Sequence, residues 1–266
     1  MKIAIIGAGN IGATLARTFA ASGHEVKLAN SKGPHTIRDL ALDVGAAAET
    51  KEDAVQGAEV IILSIPFAKY PDLASLFKEV PANVTVIDTS NYYPFRDGSI
   101  GEVDGGKPES VWVGEQIGRP AVKAWNAVLA ATLAERGQPK GASGRIAVPV
   151  AGDDGKAKAI AIQLIEVTGF DVVDAGSLSD SWRQQPGSPA YCTELTADEL
   201  KSALQSAKRS RAAGNRDALL REFMAAGGKL SHGEIVARNR ADCVITETYD
   251  RQWSRNRRSD RWGEKQ

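Results

Sequence analysis

The feature that most constrains this chain is a strand that runs straight into glycines. Lys2 to Ile6 is short, aliphatic and β-branched, and Gly7-Ala8-Gly9-Asn10-Ile11-Gly12 follows it without a break. From Asn10 to Ala21 the apolar residues Ile11, Leu15, Ala16 and Phe19 recur at helical spacing, and Ser22-Gly23 stops the helix. A second strand, Glu25 to Ala29, begins at once. GxGxxG between a strand and a helix, with a further strand close behind, is the dinucleotide-binding βαβ pattern. Gly7 permits the tight turn, Gly9 lets a pyrophosphate approach the backbone, and Gly12 lets helix and strand pack closely. The unpaired N–H groups at the helix start, those of Asn10 and Ile11 among them, then face the phosphates. A glycine-rich turn that only packs well is the plainer alternative, and the strand–helix–strand context weighs against it.

The end of the second strand bears on which dinucleotide is held. An NAD site places Asp or Glu there for the ribose hydroxyls. Here the residues are Asn30-Ser31-Lys32. No carboxylate repels a 2′-phosphate, while a hydroxyl and an ammonium are present to bind one, which points to NADP(H). His35 and Arg38, just beyond, are weaker candidates that read as surface.

The rhythm continues. Helices are expected over 34–44, 52–56, 69–79, 110–117, 129–135 and 155–168, and strands over 46–49, 59–65, 84–88, 121–124, 145–151 and 170–174. Tyr92 to Pro108, rich in Gly, Pro and Asp, reads as a long loop. This alternation predicts a doubly wound, mostly parallel α/β (Rossmann) sheet with ligands at the carboxyl ends of its strands. The expected organisation is a nucleotide-binding domain over 1–176, then a loop and helical C-terminal extension over 177–266. Ser64-Ile65-Pro66-Phe67, Thr89-Ser90-Asn91 and Trp125-Asn126 all fall just past strand ends and are expected at one crevice. There Asn91 and Asn126 offer donors and acceptors to a carboxamide or carbonyl. Strand-end loops also carry such polar residues without function.

Lys plus Arg equals 33 and so does Asp plus Glu. That balance argues against a nucleic-acid or membrane-surface binder, although the last quarter is net basic. Cys192 and Cys243 form no paired pattern, and His24, His35 and His232 are isolated, so neither a disulfide framework nor a metal site is indicated. No apolar run is long enough to span a bilayer. The apolar stretch to Ala16 imitates a short signal peptide, but its glycines argue against one, and the expected location is the cytoplasm.

Gly7 to Gly12, Asn30-Ser31-Lys32-Gly33-Pro34, Ser64-Ile65-Pro66, Asp88-Thr89-Ser90-Asn91 and Lys123-Ala124-Trp125-Asn126 together resemble the coenzyme F420-dependent NADP oxidoreductase family, to which the cytosolic domain of the membrane metalloreductases is related. The resemblance covers about residues 1–176. It implies NADPH bound with Ser31 and Lys32 on the 2′-phosphate, Ser64, Ile65 and Pro66 on the nicotinamide side, and Asn91 and Asn126 in the corresponding strand-end loops. It also implies hydride transfer between nicotinamide and coenzyme F420 or a flavin. The segment Trp182-Arg183-Gln184-Gln185-Pro186-Gly187-Ser188-Pro189-Ala190-Tyr191 does not match the deazaflavin pocket of shorter members, so a free flavin or a small carbonyl compound stays open as the acceptor.

Within that segment Trp182 is a candidate to stack on a planar acceptor and Arg183 to neutralise charge developing on it. A linker that docks its aromatics on the body is the alternative. Helices are then expected over 197–213, 216–226 and 232–240, with homodimerisation as their default role. The tail from Arg251, with five arginines beside Trp253 and Trp262, reads as a terminal segment without a nucleic-acid role. Transfer between stacked rings needs little acid–base machinery, whereas a 3-hydroxyacid dehydrogenase or carbonyl reductase needs a proton donor. For that chemistry Lys123 is the candidate, against a plain strand-end lysine reaching solvent. A non-catalytic NADP(H)-sensing module is the remaining alternative.

Overall fold

A computed structural model describes residues 1–241. Six strands form one parallel sheet: β1 (Lys2–Ile6), β2 (Glu25–Ala29), β3 (Ala47–Ala48), β4 (Val60–Leu63), β5 (Thr85–Asp88) and β6 (Val122–Lys123). Their spatial order is β3-β2-β1-β4-β5-β6. The chain thus moves outward from β1 in one direction and then in the other, and the reversal falls between β1 and β4. Such a switch point opens a crevice at the carboxyl ends of the strands. β1 and β4 are buried on both faces, as strands covered by helices on either side must be.

One face carries the Asn10–Ala21, Arg38–Val44 and Gly155–Val167 helices, packed through Leu15, Phe19, Val44, Leu164 and Trp125. The other carries the 3₁₀ turn Phe67–Leu73 and the Glu109–Ile117 helix, packed through Phe67, Tyr70, Trp112 and Val113. β7 (Ala147–Val150) and β8 (Asp171–Asp174) are parallel to each other but do not extend the main sheet. An antiparallel bridge between Lys123 and Ala151 fastens this pair to β6. Ala190, Leu200 and Leu204 pack on Ala147 and Val173, which seats the start of the C-terminal extension on the small sheet.

Several boundaries differ from the sequence expectations. The helix expected over 69–79 is a 3₁₀ turn followed by Ala74–Phe77, because Pro71 lacks the N–H that an α-helix would use there. The 92–108 loop contains two single turns of helix, Pro94–Asp97 and Gly101–Asp104. In the extension the break comes at Ala207-Lys208, between Ala197–Ser206 and Arg209–Ala225, and Gly214 sits inside the second helix. That second helix is crossed closely by another segment. A Cβ on Gly187 would lie 2.0 Å from the Ala212 carbonyl oxygen, so the 186–188 backbone rests directly on that helix. Residues 232–241 form the third helix. The tail with Arg251, Trp253 and Trp262, and Cys243, lie outside the described residues. Among the described residues no helix is long and apolar enough to cross a membrane.

Candidate functional site

The first helix begins at Gly9 with no side chain capping it. Its N-terminal N–H groups therefore remain open to an anion. The three glycines of the turn are not equivalent. A Cβ on Gly7, at φ +119°, would lie 2.0 Å from the Ser64 carbonyl oxygen, and one on Gly12 would lie 1.9 Å from that of Gly7. Around Gly9 there is nothing within 4 Å. Gly7 and Gly12 are thus required by the protein's own packing, and Gly9 leaves the space a pyrophosphate fills. The turn is tied to both neighbouring strands: Gly7 N–H donates to the Ala29 carbonyl at 2.8 Å, and Ser64 N–H to that of Ile6 at 2.8 Å. Ser64, Ile65 and Pro66 are consequently beside the glycines, at the switch point.

At the end of β2 the Asn30 side chain is used internally. Its Oδ1 accepts from Lys32 N–H at 3.0 Å and its Nδ2 donates to Thr36 Oγ1 at 2.8 Å. Asn30 shapes the turn, and Ser31 and Lys32 stand exposed on it. His35 and Arg38 are exposed beyond them.

Below the ends of β5 and β6 lies a buried ionic cluster. Asp88 Oδ1 accepts from Tyr70 Oη at 2.5 Å and from Ser90 Oγ at 2.6 Å; Asp88 Oδ2 accepts from Ser110 Oγ at 2.6 Å. Lys123 Nζ is 3.7 Å from Asp88 and 3.2 Å from Glu109, and donates to the Ser90 carbonyl at 3.1 Å. Burial raises the Glu109 carboxyl above its ordinary range, against the opposing pull of Lys123. Burial also raises the Tyr70 phenol, and the adjacent Asp88 carboxylate adds to it. The Lys123 side chain is 0% exposed. The expectation of a solvent-reaching lysine is therefore corrected: two carboxylates and a carbonyl enclose its ammonium, which holds the Ser90–Asn91 backbone in place.

Asn91 and Asn126 do meet. Asn91 Nδ2 donates to the Asn126 carbonyl at 2.8 Å, and Asn126 Nδ2 donates to Asn91 Oδ1 at 3.0 Å. Their companion from the 182–191 segment is Gln184, which sequence reasoning missed. Gln184 Nε2 donates to Asn126 Oδ1 at 2.9 Å, and its carbonyl accepts from Asn126 Nδ2 at 2.7 Å. Trp182 and Arg183 are engaged elsewhere. The Arg183 guanidinium lies 4.6 Å from the Trp182 ring centroid and that of Arg209 at 5.9 Å, while Arg183 reaches the Leu204 carbonyl at 3.3 Å. These contacts seat the pair on the helical extension; neither has a hydrogen bond to Asn91 or Asn126.

Two tyrosines join the strand-end loops to the extension. Tyr93 Oη and Tyr191 Oη are 2.7 Å apart, and Asn91 Nδ2 donates to Tyr191 Oη at 3.3 Å. Asp97 clips this loop to the one after β4: it accepts from Tyr93 N–H at 2.9 Å and from Ala68 N–H at 3.4 Å. The Phe67 ring is 5.4 Å from that of Tyr92 and stacks at 4.8 Å on Trp112. Nothing in the spacing of Tyr93, Asp97 and Tyr191 announces their meeting, since 98 residues separate the two phenols.

A parallel sheet with a glycine turn at its switch point is shared by many proteins, and similarity to known proteins narrows the choice. A profile described as NADP oxidoreductase coenzyme F420-dependent matches residues 2–92. Hypothetical protein SMa0349 of Sinorhizobium meliloti is 32% identical in sequence, over 74% of this chain and 95% of its own, with a TM-score of 0.63. This chain belongs to the coenzyme F420-dependent NADP oxidoreductase family. Protein YjhV of Escherichia coli K12 is 38% identical over 103 residues, which are 39% of this chain and 75% of that protein. A "putative F420 dependent NADP-reductase" of Arthrobacter sp. FB24 shares the fold at 20% identity, over 85% of this chain and 95% of its own, with a TM-score of 0.60. The family is one of NAD(P)-dependent oxidoreductases acting on small molecules.

Proposed function

We propose that this chain transfers a hydride between NADP(H) and a flavin-like or deazaflavin acceptor, coenzyme F420 or a flavin, as a cytoplasmic homodimer. The observation that carries the cofactor choice is the acid-free turn after β2, where Ser31 and Lys32 are exposed next to the glycine turn to which Gly7 ties that strand. Support for the acceptor is the family match and the name of the Arthrobacter relative.

The residues fit such a cofactor. The backbone of Gly7 to Gly12 and the open helix start hold the pyrophosphate, Ser31 and Lys32 the 2′-phosphate, and Ser64, Ile65 and Pro66 flank the nicotinamide. When bound, the nicotinamide supplies or accepts the hydride. Asn91 and Asn126, whose amides are bonded to each other and to Gln184, set the wall of the crevice against which the cofactor is oriented. The buried aromatic packing of Phe67, Tyr92 and Trp112 supports that wall. Lys123 is not a proton donor in this reading, because its ammonium is enclosed.

NADPH consumption against coenzyme F420, FMN, riboflavin and ferric chelates tests the reading, alongside binding titrations with both dinucleotides. Lys32→Ala is expected to weaken NADPH by about 1.5–3 kcal/mol and to spare NADH. NADH bound as tightly as NADPH by the unmutated protein refutes the cofactor assignment. Tight NADPH binding without turnover of any of these acceptors refutes the acceptor.

A further inference from the structure

Between the loop after β5, the docked 186–191 segment and the Arg209–Ala225 helix is a cavity of about 170 Å³. None of the residues assigned to the dinucleotide lines it. An apolar protein cavity of about 150 Å³ takes one benzene ring, so this one is the size of a single ring with a small substituent.

Its lining has an apolar part and a charged part. Tyr93 and Phe95, edge to face with ring centroids 5.9 Å apart, line it together with Leu219, Leu220 and Phe223 of the helix. The charged residues of the lining are Arg96 and Arg216, and no carboxylate is among them. Burial raises the phenols of Tyr93 and Tyr191, so neither adds negative charge at neutral pH.

The two arginines are not equivalent. Arg96 donates from Nε and Nη2 to Asp97 and from Nη2 to the Asn91 carbonyl, so its charge is met within its own loop. Arg216 donates from Nε to Asp217 Oδ1 at 2.8 Å, and its guanidinium lies 5.5 Å from the Tyr92 ring centroid. Among the described residues its terminal nitrogens have no hydrogen-bond partner, although the side chain is only 11% exposed. A guanidinium fixed through Nε, with its outer edge open, is suited to take a carboxylate through paired N–H···O bonds.

We infer that this cavity binds a small aromatic carboxylate, with the ring among Phe95, Leu219 and Phe223 and the carboxylate on Arg216. Asp217 and Asp104 take up part of the Arg216 charge, and water reaches both, which screens them. The site stands apart from the hydride reading and does not depend on it.

Calorimetric titration of the full chain with benzoate, without nucleotide, tests the site. Benzoate is expected to bind once per chain and to raise the thermal midpoint, because a ligand held only by the folded state stabilises it. Benzamide keeps the ring but loses the charge-assisted pair, and should bind at least about tenfold more weakly. Arg216→Gln should weaken benzoate by the same factor and leave benzamide nearly unchanged. Leu220→Trp, built from a half-buried position, should fill the cavity and abolish binding of both. Saturating NADPH should not displace benzoate. Native circular dichroism qualifies each variant, and if Arg216→Gln does not fold, the contrast between benzoate and benzamide and the Leu220→Trp result decide. Absence of benzoate binding, equal affinity for benzoate and benzamide, undiminished benzoate affinity in either folded variant, or displacement by NADPH overturns the proposal.

Discussion

A side chain at Gly7 or Gly12 has no room, since the nearest carbonyl oxygens lie at 2.0 Å and 1.9 Å from the Cβ position, whereas at Gly9 nothing belonging to the protein is within 4 Å. Substitutions in one motif should therefore separate into two phenotypes. Gly9→Val is expected to keep a native circular dichroism spectrum and thermal midpoint while losing dinucleotide binding. Gly7→Val should lower the midpoint itself, because both the positive φ and the Ser64 carbonyl oppose it. Retained NADPH affinity in folded Gly9→Val would place the pyrophosphate elsewhere. At this scale the sequence was informative about glycine and poor about lysine. The Gly7-to-Gly12 run carries its meaning in its local context, but Lys123 and Lys32 look alike in a string of letters. Only the partners brought in from β5 and the Glu109–Ile117 helix make Lys123 an enclosed structural cation.

Among the elements, the helix over 232–241 is held mainly by polar ties. Glu194 Oε1 accepts from His232 Nε2 at 2.6 Å and from Thr132 Oγ1 at 2.5 Å, and Arg240 Nε donates to the Thr193 carbonyl at 2.6 Å. Burial pushes the Glu194 carboxyl up, but Thr132, His232 and Arg136 more than offset it, so the folded value lies below the ordinary one. A depressed carboxylate contributes stability above its unfolded pKa, about 4.3, and that contribution is lost as pH falls through the folded value. Amide protection factors, with the intrinsic exchange rate divided out, should therefore fall in 232–241 on acidification below about pH 4.3, before those of β1 and β4 do. An equal fall in both regions would mean that Glu194 does not hold this helix. Element existence was largely legible in the sequence because hydrophobic period and capping are local properties. Thr196 and Glu199, for instance, form the capping box that starts the Ala197–Ser206 helix. The break at Ala207-Lys208 was not legible, since no glycine, proline or capping side chain marks it.

In the whole molecule, Gln184 fastens the extension to the nucleotide-binding sheet. Besides Asn126, its Nε2 is 3.4 Å from the Lys123 carbonyl and 3.3 Å from that of Pro149, so one amide touches β6, β7 and the loop after β6. Gln184→Ala removes the donor from three buried acceptors and should cost about 1–3 kcal/mol, read as a shift in denaturant midpoint. The NADPH Kd should change less than the midpoint, because the partners of that amide are Asn126, Lys123 and Pro149 and not the glycine turn or Lys32, which hold the phosphates in this reading. An unchanged midpoint would show that water replaces the side chain without loss.

By itself the sequence determined the parallel α/β sheet, its glycine turn and the absence of an acid after β2, because each depends on residues within about a dozen positions of one another and on the period of buried side chains. The tertiary structure alone decided which groups meet Asn91 and Asn126. Trp182 and Arg183 carry the more suggestive chemistry, yet they turn to Arg209 and Leu204 in the extension. Gln184 and Tyr191 are the ones that arrive at Asn126, Asn91 and Tyr93. The physical reason is chain crossing. Contacts between residues 58 to 100 positions apart are fixed by how the docked segment packs on β6 and on the Arg209–Ala225 helix, and no local pattern of letters encodes that packing.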